Sequence, residues 1–332
     1  MKGYVRSSLV TTFDFISKTS LLVTNLIYCG SISVVRGLSF VKISVSREEA
    51  LTRWSSRERR VLPWRATRDP WKILLSEVML QQTQVERVVP KYDYFIASWP
   101  DIDDFAQAPL EKILKAWSGL GFPRRAVNLH RTARLVVSEY GSVMPRDLKT
   151  LLTLPGVGPY TARAVLCFAY EIDIGVVDTN VGRILARWSG SRLAKKTAQS
   201  TADSLVPLGQ TWEWNQGLFD LGALICTKHE PKCSRCPVFE WCSWQGLGVD
   251  PSIGSAGVSS SQKPFTGSDR QARGKLLRAL SDGPVSRATA KCVMGIDQET
   301  IRADRLVEAL IADGLIYVAL NGQELRLGNS FD

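Results

Sequence analysis

Hydrophobic residues recur at helical spacing over most of the chain between residues 46 and 245. Ser46 precedes Arg47, Glu48 and Glu49 in the form of a capped helix start, and Asp69 with Pro70 begins the next helix. Three further stretches share this spacing: 88–98, 110–118 and 161–170. The pattern predicts a mainly α-helical domain over residues 47–245.

The pattern changes after Gln245. Residues 246–266 are rich in Gly, Ser and Pro and have few large apolar residues, which indicates a linker. From residue 267 to 332, two helical patterns precede two short alternating runs joined by Asn321 and Gly322, a two-residue hairpin signal. Helices followed by a hairpin predict a small α/β module of the winged-helix type.

Residues 1–46 have a different composition. They contain five Lys or Arg, a single acid at Asp14, many Ser and Thr, and an apolar patch over 21–35 that polar residues interrupt. A targeting segment is one interpretation, but no clear small-residue cleavage site follows the patch. We interpret this stretch as a poorly ordered extension.

Charge and composition restrict the classes of function. The chain has 332 residues, 45% of them hydrophobic, and a net charge of +10, which suits a polyanionic partner such as DNA. No apolar run approaches the roughly 20 residues that span a bilayer. We expect a monomeric intracellular protein without a membrane anchor, in the cytoplasm or nucleoid if it is bacterial.

The string LPGVG at residues 154–158 lies between two helical stretches. Gly156 and Gly158 allow a tight hairpin, and the backbone N–H groups of Gly156, Val157 and Gly158 then lie bare at a helix N-terminus. Such groups favour an anion, and on a basic chain the expected anion is a DNA phosphate. Asp178 follows closely enough to place a carboxylate beside the sugar of that nucleotide.

Four cysteines have the strongest spacing signal. Cys226, Cys233, Cys236 and Cys242 form the pattern C-x6-C-x2-C-x5-C. A zinc site usually shows two C-x2-C pairs, and a disulfide framework is improbable in a basic intracellular chain. Four cysteines at unequal spacings suit a [4Fe–4S] cluster. Lys228 and Lys232 would then lie in a folded basic loop facing the DNA backbone.

Glu77 interrupts an apolar helical face. A glutamate in such a position is costly unless it is paired or useful, whereas spacing alone favours a solvated Glu on the polar face. The surrounding string, SEVMLQQTQ at 76–84, is similar to the catalytic helix of adenine DNA glycosylases. LPGVG followed by VDTN at 177–180 resembles the helix-hairpin-helix DNA glycosylase superfamily, and the cysteine spacing matches its endonuclease III and adenine glycosylase branches.

This resemblance covers roughly residues 50–245. It implies a two-lobed helical fold of the helix-hairpin-helix glycosylase type with a [4Fe–4S] loop over 226–242. It also implies that Glu77 is the general acid, that Asp178 stabilises the oxocarbenium ion, and that Asn180 orients water or the sugar phosphate. Tyr160 stands where lyase members carry a Schiff-base lysine, so strand scission by that route is not expected.

The resemblance implies contacts with DNA as well. Gln81, Gln82 and Thr83 would enter the double helix at the lesion, and the turn after Gly119 would expose Leu120 and Phe122 as a wedge. A helix C-cap with its hydrophobic contact is the alternative for this turn. The remaining candidates are phosphate ligands and base-pocket residues: Arg124, Arg125 and His130, and Trp64, Arg65 and Asp220.

We therefore predict a monofunctional DNA glycosylase that removes adenine opposite guanine or 8-oxoguanine in double-stranded DNA. A thymine or uracil mismatch glycosylase and a non-catalytic DNA-binding iron–sulfur protein are the alternatives. The similar Glu77 helix argues against the first, and the presence of Glu77 and Asp178 together argues against the second. Many family members carry a Nudix-like domain with a histidine that reads 8-oxoguanine, but both histidines here, His130 and His229, lie upstream. The preference between the two opposite bases stays open.

Overall fold

The computed structural model describes residues 31–36, 39–255, 264–320 and 322–328, and most of them are helical. Eleven α-helices lie between residues 47 and 224 of this described part. Their bounds are α1 Arg47–Glu58, α2 Pro70–Leu80, α3 Val85–Ser98, α4 Ile102–Gln107, α5 Leu110–Trp117, α6 Arg124–Tyr140, α7 Leu148–Leu151, α8 Pro159–Tyr170, α9 Thr179–Ser189, α10 Lys195–Ser204 and α11 Thr211–Leu224. The mainly helical prediction is confirmed.

Polar side chains fix several helix starts. Ser46 caps α1 by accepting a hydrogen bond from the Glu49 backbone N–H, as its sequence predicts. Asp69 caps α2 in the same way, with Pro70 in the first turn. Asp178 caps α9. A carboxylate that the resemblance assigns to catalysis therefore also determines where a helix begins.

Two hydrophobic cores divide the helical domain. The first is built mainly from α2–α8 and contains a cluster of packed aromatic rings that includes Phe95, Phe105 and Trp117. The second joins α1 to α9 and α11, with Leu51 and Trp214 at its centre. Glu77 lies on α2 of the first lobe and Asp178 lies at the start of α9 in the second, and the fold brings them near enough to interact electrostatically.

The C-terminal module has the predicted order of helices and hairpin. It contains α12 Asp269–Asp282, β3 Val285–Ser286, α13 Ala290–Met294, α14 Thr300–Ala312, β4 Ile316–Val318 and β5 Glu324–Leu327. The three strands form an antiparallel sheet in the order β3-β5-β4, so β4 and β5 are the wing-like hairpin. Asn321 in its turn lies outside the described residues. The module packs on the first lobe, where Gly314 lies beside Arg131 and Gly328 beside Glu111.

Two stretches differ from the expected domain limits. In the predicted extension, strands β1 Ser31–Arg36 and β2 Ser39–Ser44 pair antiparallel, while residues 1–30 and 37–38 lie outside the described residues. In the predicted linker, Ser252 and Ser255 are buried against the second lobe, so the folded part extends beyond Gln245. Residues 256–263 lie outside the described residues. Within the part of the chain that is described, no helix is long and apolar enough to cross a membrane.

Candidate active site

Glu77 is buried, with 4% of its surface exposed, and its carboxylate faces α8. The hydroxyl of Tyr160 donates a hydrogen bond of 2.6 Å to Glu77 Oε2. Burial raises the pKa of Glu77 to about 7; the Tyr160 hydrogen bond and Arg65 oppose this rise, while Asp178 adds to it. The alternative of a solvated Glu on a polar face is therefore wrong, and Glu77 is poised to give up a proton near neutral pH.

Asp178 uses its carboxylate to cap α9. Its Oδ1 accepts hydrogen bonds from the backbone N–H groups of Asn180, at 2.8 Å, and Val181, at 2.7 Å. Burial raises the pKa of Asp178, and these hydrogen bonds oppose the rise by stabilising the carboxylate. Because the charge of Asp178 also raises the pKa of Glu77, the two carboxyl groups lie near enough to interact electrostatically.

Asn180 is held by hydrogen bonds on both sides of its side-chain amide. Its Nδ2 donates to Asp178 Oδ2 at 3.0 Å, and its Oδ1 accepts from Arg183 Nη2 at 2.9 Å. Arg183 in turn donates to the backbone carbonyl of Cys226 at 2.8 Å. The sequence did not indicate Arg183. A short chain of hydrogen bonds thus connects the cysteine loop to Asp178.

We expect Asn180→Ala to lower base excision at least about tenfold. The substitution removes a hydrogen bond to a charged carboxylate, a contact that contributes about 1.5–3 kcal/mol, and it breaks the chain of hydrogen bonds between Arg183 and Asp178. Single-turnover rates with bound DNA measure the effect, with the exposed neighbour Thr179→Ala as control. Equal rates in the two variants would contradict the positioning role.

Two of the three predicted base-pocket residues, Arg65 and Asp220, form a buried ion pair. Asp220 is 0% exposed and accepts hydrogen bonds from Arg65 Nη1, at 2.9 Å, and from Arg60 Nε, at 2.6 Å. Trp64 is buried and packs edge-on against Tyr92. Arg65 also influences the pKa of Glu77, which places its charge near the acid. Arg60 was missed, because nothing in its local sequence separates it from the neighbouring Arg57 and Arg59.

Arg125 does not extend towards a phosphate as predicted. Its guanidinium donates hydrogen bonds to the backbone carbonyls of Val78, Gln81 and Leu120 at 2.6, 2.7 and 2.9 Å. Burial lowers its pKa to about 10. We correct its role: Arg125 ties the end of α2, where Gln82 has a positive φ of 56°, to the turn after α5. Gln81, Gln82 and Thr83 are thereby held in a fixed turn.

The predicted wedge is only partly exposed. Leu120 is 4% exposed and belongs to the first core, so its assignment to the exposed tip was wrong. Phe122 is exposed, and its backbone has a positive φ of 46°. His130 is also buried, beside Phe105, and is not a surface phosphate ligand. Arg124 remains exposed and forms an ion pair with Asp313 of the C-terminal module.

The glycine hairpin has the geometry that its sequence indicates. Gly156 has a φ of 76°, and a Cβ there would lie 2.8 Å from the Asn128 Cβ. Both the backbone conformation and the lack of space therefore exclude a larger residue. Val157 is buried, and its backbone N–H donates to the Leu154 carbonyl at 3.1 Å, so the expectation that this N–H is bare was wrong. Gly158 precedes α8 and has open space around it. The N-terminus of α8 is accessible to a phosphate next to Tyr160.

The four cysteines line one cavity between α9, α11 and the loop that follows. Apolar side chains of Leu221, Ile225 and Trp188 complete its wall. Within the described ranges, no three His, Cys, Asp or Glu residues are arranged to hold a single metal ion. The cavity brings together four cysteine side chains, the type of donor that a thiolate-bound metal centre requires.

Comparison with known proteins identifies the family. The profile of the HhH-GPD superfamily of base excision DNA repair proteins matches residues 75–208. An adenine DNA glycosylase of Mycobacterium tuberculosis is 40% identical over 290 residues, which cover 85% of this chain and 93% of the relative. The chain belongs to the adenine DNA glycosylase family. This glycosylase is therefore a base excision DNA repair enzyme.

Two further comparisons concern the neighbouring branch. A thymine/uracil-DNA glycosylase of Methanothermobacter thermautotrophicus is 37% identical to this glycosylase over 200 residues, covering 58% of this chain and 90% of the relative. The solved structure of a thermostable thymine-DNA glycosylase superposes with a TM-score of 0.57 at 35% identity, covering 59% of this chain and 94% of the other. The helix-hairpin-helix glycosylase fold is thus confirmed.

Proposed function

We propose that the protein is a monofunctional adenine DNA glycosylase that acts, as a monomer, on adenine opposite guanine or 8-oxoguanine in duplex DNA. The proposal rests above all on the buried Glu77, whose pKa of about 7 and hydrogen bond to Tyr160 prepare it to act as a general acid. The similarity to the adenine DNA glycosylase of Mycobacterium tuberculosis supports adenine as the base.

The two carboxyl groups divide the chemistry of the N-glycosidic bond. When the bond breaks, its electron pair leaves with the base and positive charge develops at C1′. Glu77 donates a proton to a ring nitrogen of the departing adenine, and Asp178 stabilises the oxocarbenium ion. Water then adds at C1′ and loses a proton, which leaves an abasic site. The hairpin at Gly156 holds the phosphate of the extruded nucleotide, since the base must leave the stack first.

Tyr160 supports a monofunctional reaction for two reasons. A phenol cannot form an imine with C1′, so the position offers no nucleophile for strand scission. Its hydroxyl is moreover engaged with Glu77 Oε2 at 2.6 Å. In this proposal Tyr160 orients the acid and sets its pKa.

We expect Tyr160→Phe to shift the alkaline limb of the pH–rate profile to higher pH. Excision requires protonated Glu77, so the rate is full below a pH of about 7 and falls as pH rises through that pKa. The Tyr160 hydrogen bond lowers the pKa of Glu77, and its loss raises that pKa further. Single-turnover rates between about pH 6 and 9 measure the shift.

Tyr170→Phe is the matched control for this shift. Its hydroxyl donates to the backbone carbonyl of Met144, away from Glu77, so its removal should leave the limb in place. An unchanged limb in Tyr160→Phe would mean that Glu77 is not the titrating acid.

The four cysteines are proposed to hold a [4Fe–4S] cluster. The cavity they line supports this assignment, and so does Gly246, where a Cβ would lie 3.1 Å from Cys233 Sγ. When bound, the cluster ties the loop at 226–242 into one fold. Lys228 and Lys232 then present positive charge towards the DNA backbone, and no step of base excision passes through the iron.

A base-release assay tests the proposed specificity. Duplexes with A opposite 8-oxoguanine, A opposite G, T opposite G and U opposite G are incubated with the protein, and free base is measured. Release of adenine from the first two supports the proposal, with Glu77→Gln as the inactive control. Release of thymine or uracil would instead support the second candidate, which the similarity to a thymine/uracil-DNA glycosylase favours. DNA binding without any release would indicate a non-catalytic protein.

A further inference from the structure

The segment that follows the cysteine loop returns to the second lobe through a buried ion pair. Asp250 Oδ2 lies 2.6 Å from Arg187 Nη2, and the Arg187 side chain is 1% exposed. Arg187 Nε also approaches both carboxylate oxygens of Asp250 at 3.2 Å. The backbone N–H of Ser252 donates to Asp250 Oδ1, which fixes the carboxylate in this orientation.

The same guanidinium is bound to the cysteine loop. Arg187 Nη1 donates to Cys226 Sγ at 3.3 Å and to the Thr227 carbonyl at 2.7 Å, and Nη2 donates to the Lys228 carbonyl at 3.2 Å. The ring of Trp244 covers its other side, with the guanidinium 4.5 Å from the ring centroid. Arg187 thus lies between a cysteine of the cavity and a carboxylate 24 residues beyond it in sequence.

The segment around Asp250 is anchored at a second point. Ser255 Oγ accepts a hydrogen bond from the Leu193 backbone N–H and donates to the Pro251 carbonyl. The chain after the cysteines is therefore folded back over Arg187 and held at both ends. Its glycine- and serine-rich composition predicted a linker, so this arrangement has no counterpart in the sequence pattern.

We propose that Asp250, Arg187 and Trp244 form a clasp that retains the iron–sulfur cluster, with Asp250 as its positioning residue. The inference rests on the proposed [4Fe–4S] cluster. Arg187 is buried and remains beside Cys226 because Asp250 supplies its counter-charge; removing one partner of a buried ion pair is strongly destabilising. Without Asp250 the guanidinium leaves this position, the 226–228 backbone loses its donors, and the cluster becomes accessible to solvent.

The clasp also sets the charge next to the cluster. Asp250 neutralises a cation that donates directly to a ligand sulfur, and the potential of such a cluster depends on nearby charge, hydrogen bonds to sulfur and solvent exposure. Asp250→Asn leaves positive charge uncompensated at that point. A packing role alone would not predict the resulting shift of the reduction potential to more positive values.

Iron release from full-length protein tests the clasp. Wild type, Asp250→Asn, Asp250→Glu and Glu240→Gln are purified anaerobically, and about four irons per chain are expected in the wild type. The measurement is the rate at which an iron chelator removes iron. We expect release at least about fivefold faster in Asp250→Asn, because the neutral amide loses the charge-assisted hydrogen bonds with Arg187. Asp250→Glu keeps the negative charge and should recover part of the wild-type rate. Glu240→Gln removes an exposed charge from the same loop and should match wild type.

The outcomes separate the clasp from the cluster itself. Wild-type protein without iron would refute the proposed cofactor. If wild type contains four irons and Asp250→Asn releases iron at the wild-type rate, the clasp alone is refuted. If Asp250→Asn does not fold, as judged by circular dichroism, Trp244→Leu replaces it. That variant removes the ring over Arg187 and keeps the ion pair, so it should release iron faster; an unchanged rate would overturn the clasp.

Discussion

Replacing Glu77 by Gln is expected to lower single-turnover excision of adenine at least about a hundredfold, which is the usual scale of general acid catalysis. The amide has nearly the same size and can still accept the hydrogen bond from the Tyr160 hydroxyl. It cannot donate the proton that the departing base requires. The loss should therefore appear in the chemical step, while the fold and the binding of duplex DNA are retained.

Glu86→Gln is the matched control for this variant. Glu86 is an exposed carboxylate in the first turn of α3, close to Glu77 in sequence. Its neutralisation should leave the excision rate within about twofold of wild type. The pH–rate profile adds a second readout, because the limb near pH 7 should disappear in Glu77→Gln. Near-normal rates with the limb intact would show that another group donates the proton.

Features that depend on neighbouring residues could be predicted from the sequence. Ser46 and Asp69 cap helices as predicted, because each is a short polar residue directly before a helical stretch. The capping role of Asp178 was not predicted, although it follows the same rule. Gly156 is required because its backbone has a positive φ, which only glycine adopts readily. The hairpin and the helices around it are therefore encoded locally.

Features that depend on distant contacts could not be predicted. Leu120 and Phe122 are two residues apart in one glycine turn, and only packing against the first core makes one buried and the other exposed. Arg125 resembles any phosphate-binding arginine in sequence, yet two of its acceptors, the carbonyls of Val78 and Gln81, lie 47 and 44 residues away at the end of α2. The ion pair of Arg65 with Asp220 spans 155 residues and shows no local pattern.

Glu77 and Asp178 are held in place by different lobes of the helical domain. Glu77 is held by Tyr160 of α8, whereas Asp178 is held by Asn180 and, through Arg183, by the cysteine loop. Each carboxyl group is thus oriented by its own lobe. In the mechanism that we propose, the cysteine loop therefore orients Asp178 through hydrogen bonds, and no electron transfer is involved.

Replacing Tyr160 by Lys is expected to give the protein a strand-cleaving activity that wild type lacks. The amine would lie at the mouth of the pocket beside Glu77 and Asp178. Burial lowers the pKa of a lysine, and the neutral amine can attack C1′ of an abasic site to form an imine. Elimination of the 3′-phosphate from that imine then breaks the strand, and borohydride reduces the imine to a stable covalent complex.

The substrate for this experiment is a duplex with a preformed abasic site. Tyr160→Lys removes the hydroxyl that orients Glu77, so base excision should fall even as lyase activity appears. Starting from the abasic site separates the two effects. Tyr160→Gln is the control, because its amide is polar but cannot form an imine.

We expect trapping and cleavage in Tyr160→Lys that exceed wild type and Tyr160→Gln by at least about tenfold. This margin follows from nucleophilic catalysis, which replaces one difficult step by two easier ones. Wild type should leave an abasic strand that breaks only after alkali. Efficient trapping in wild type that persists in Tyr160→Gln would place another amine at C1′. That result would refute the monofunctional mechanism while leaving the assignment of Glu77 as general acid intact.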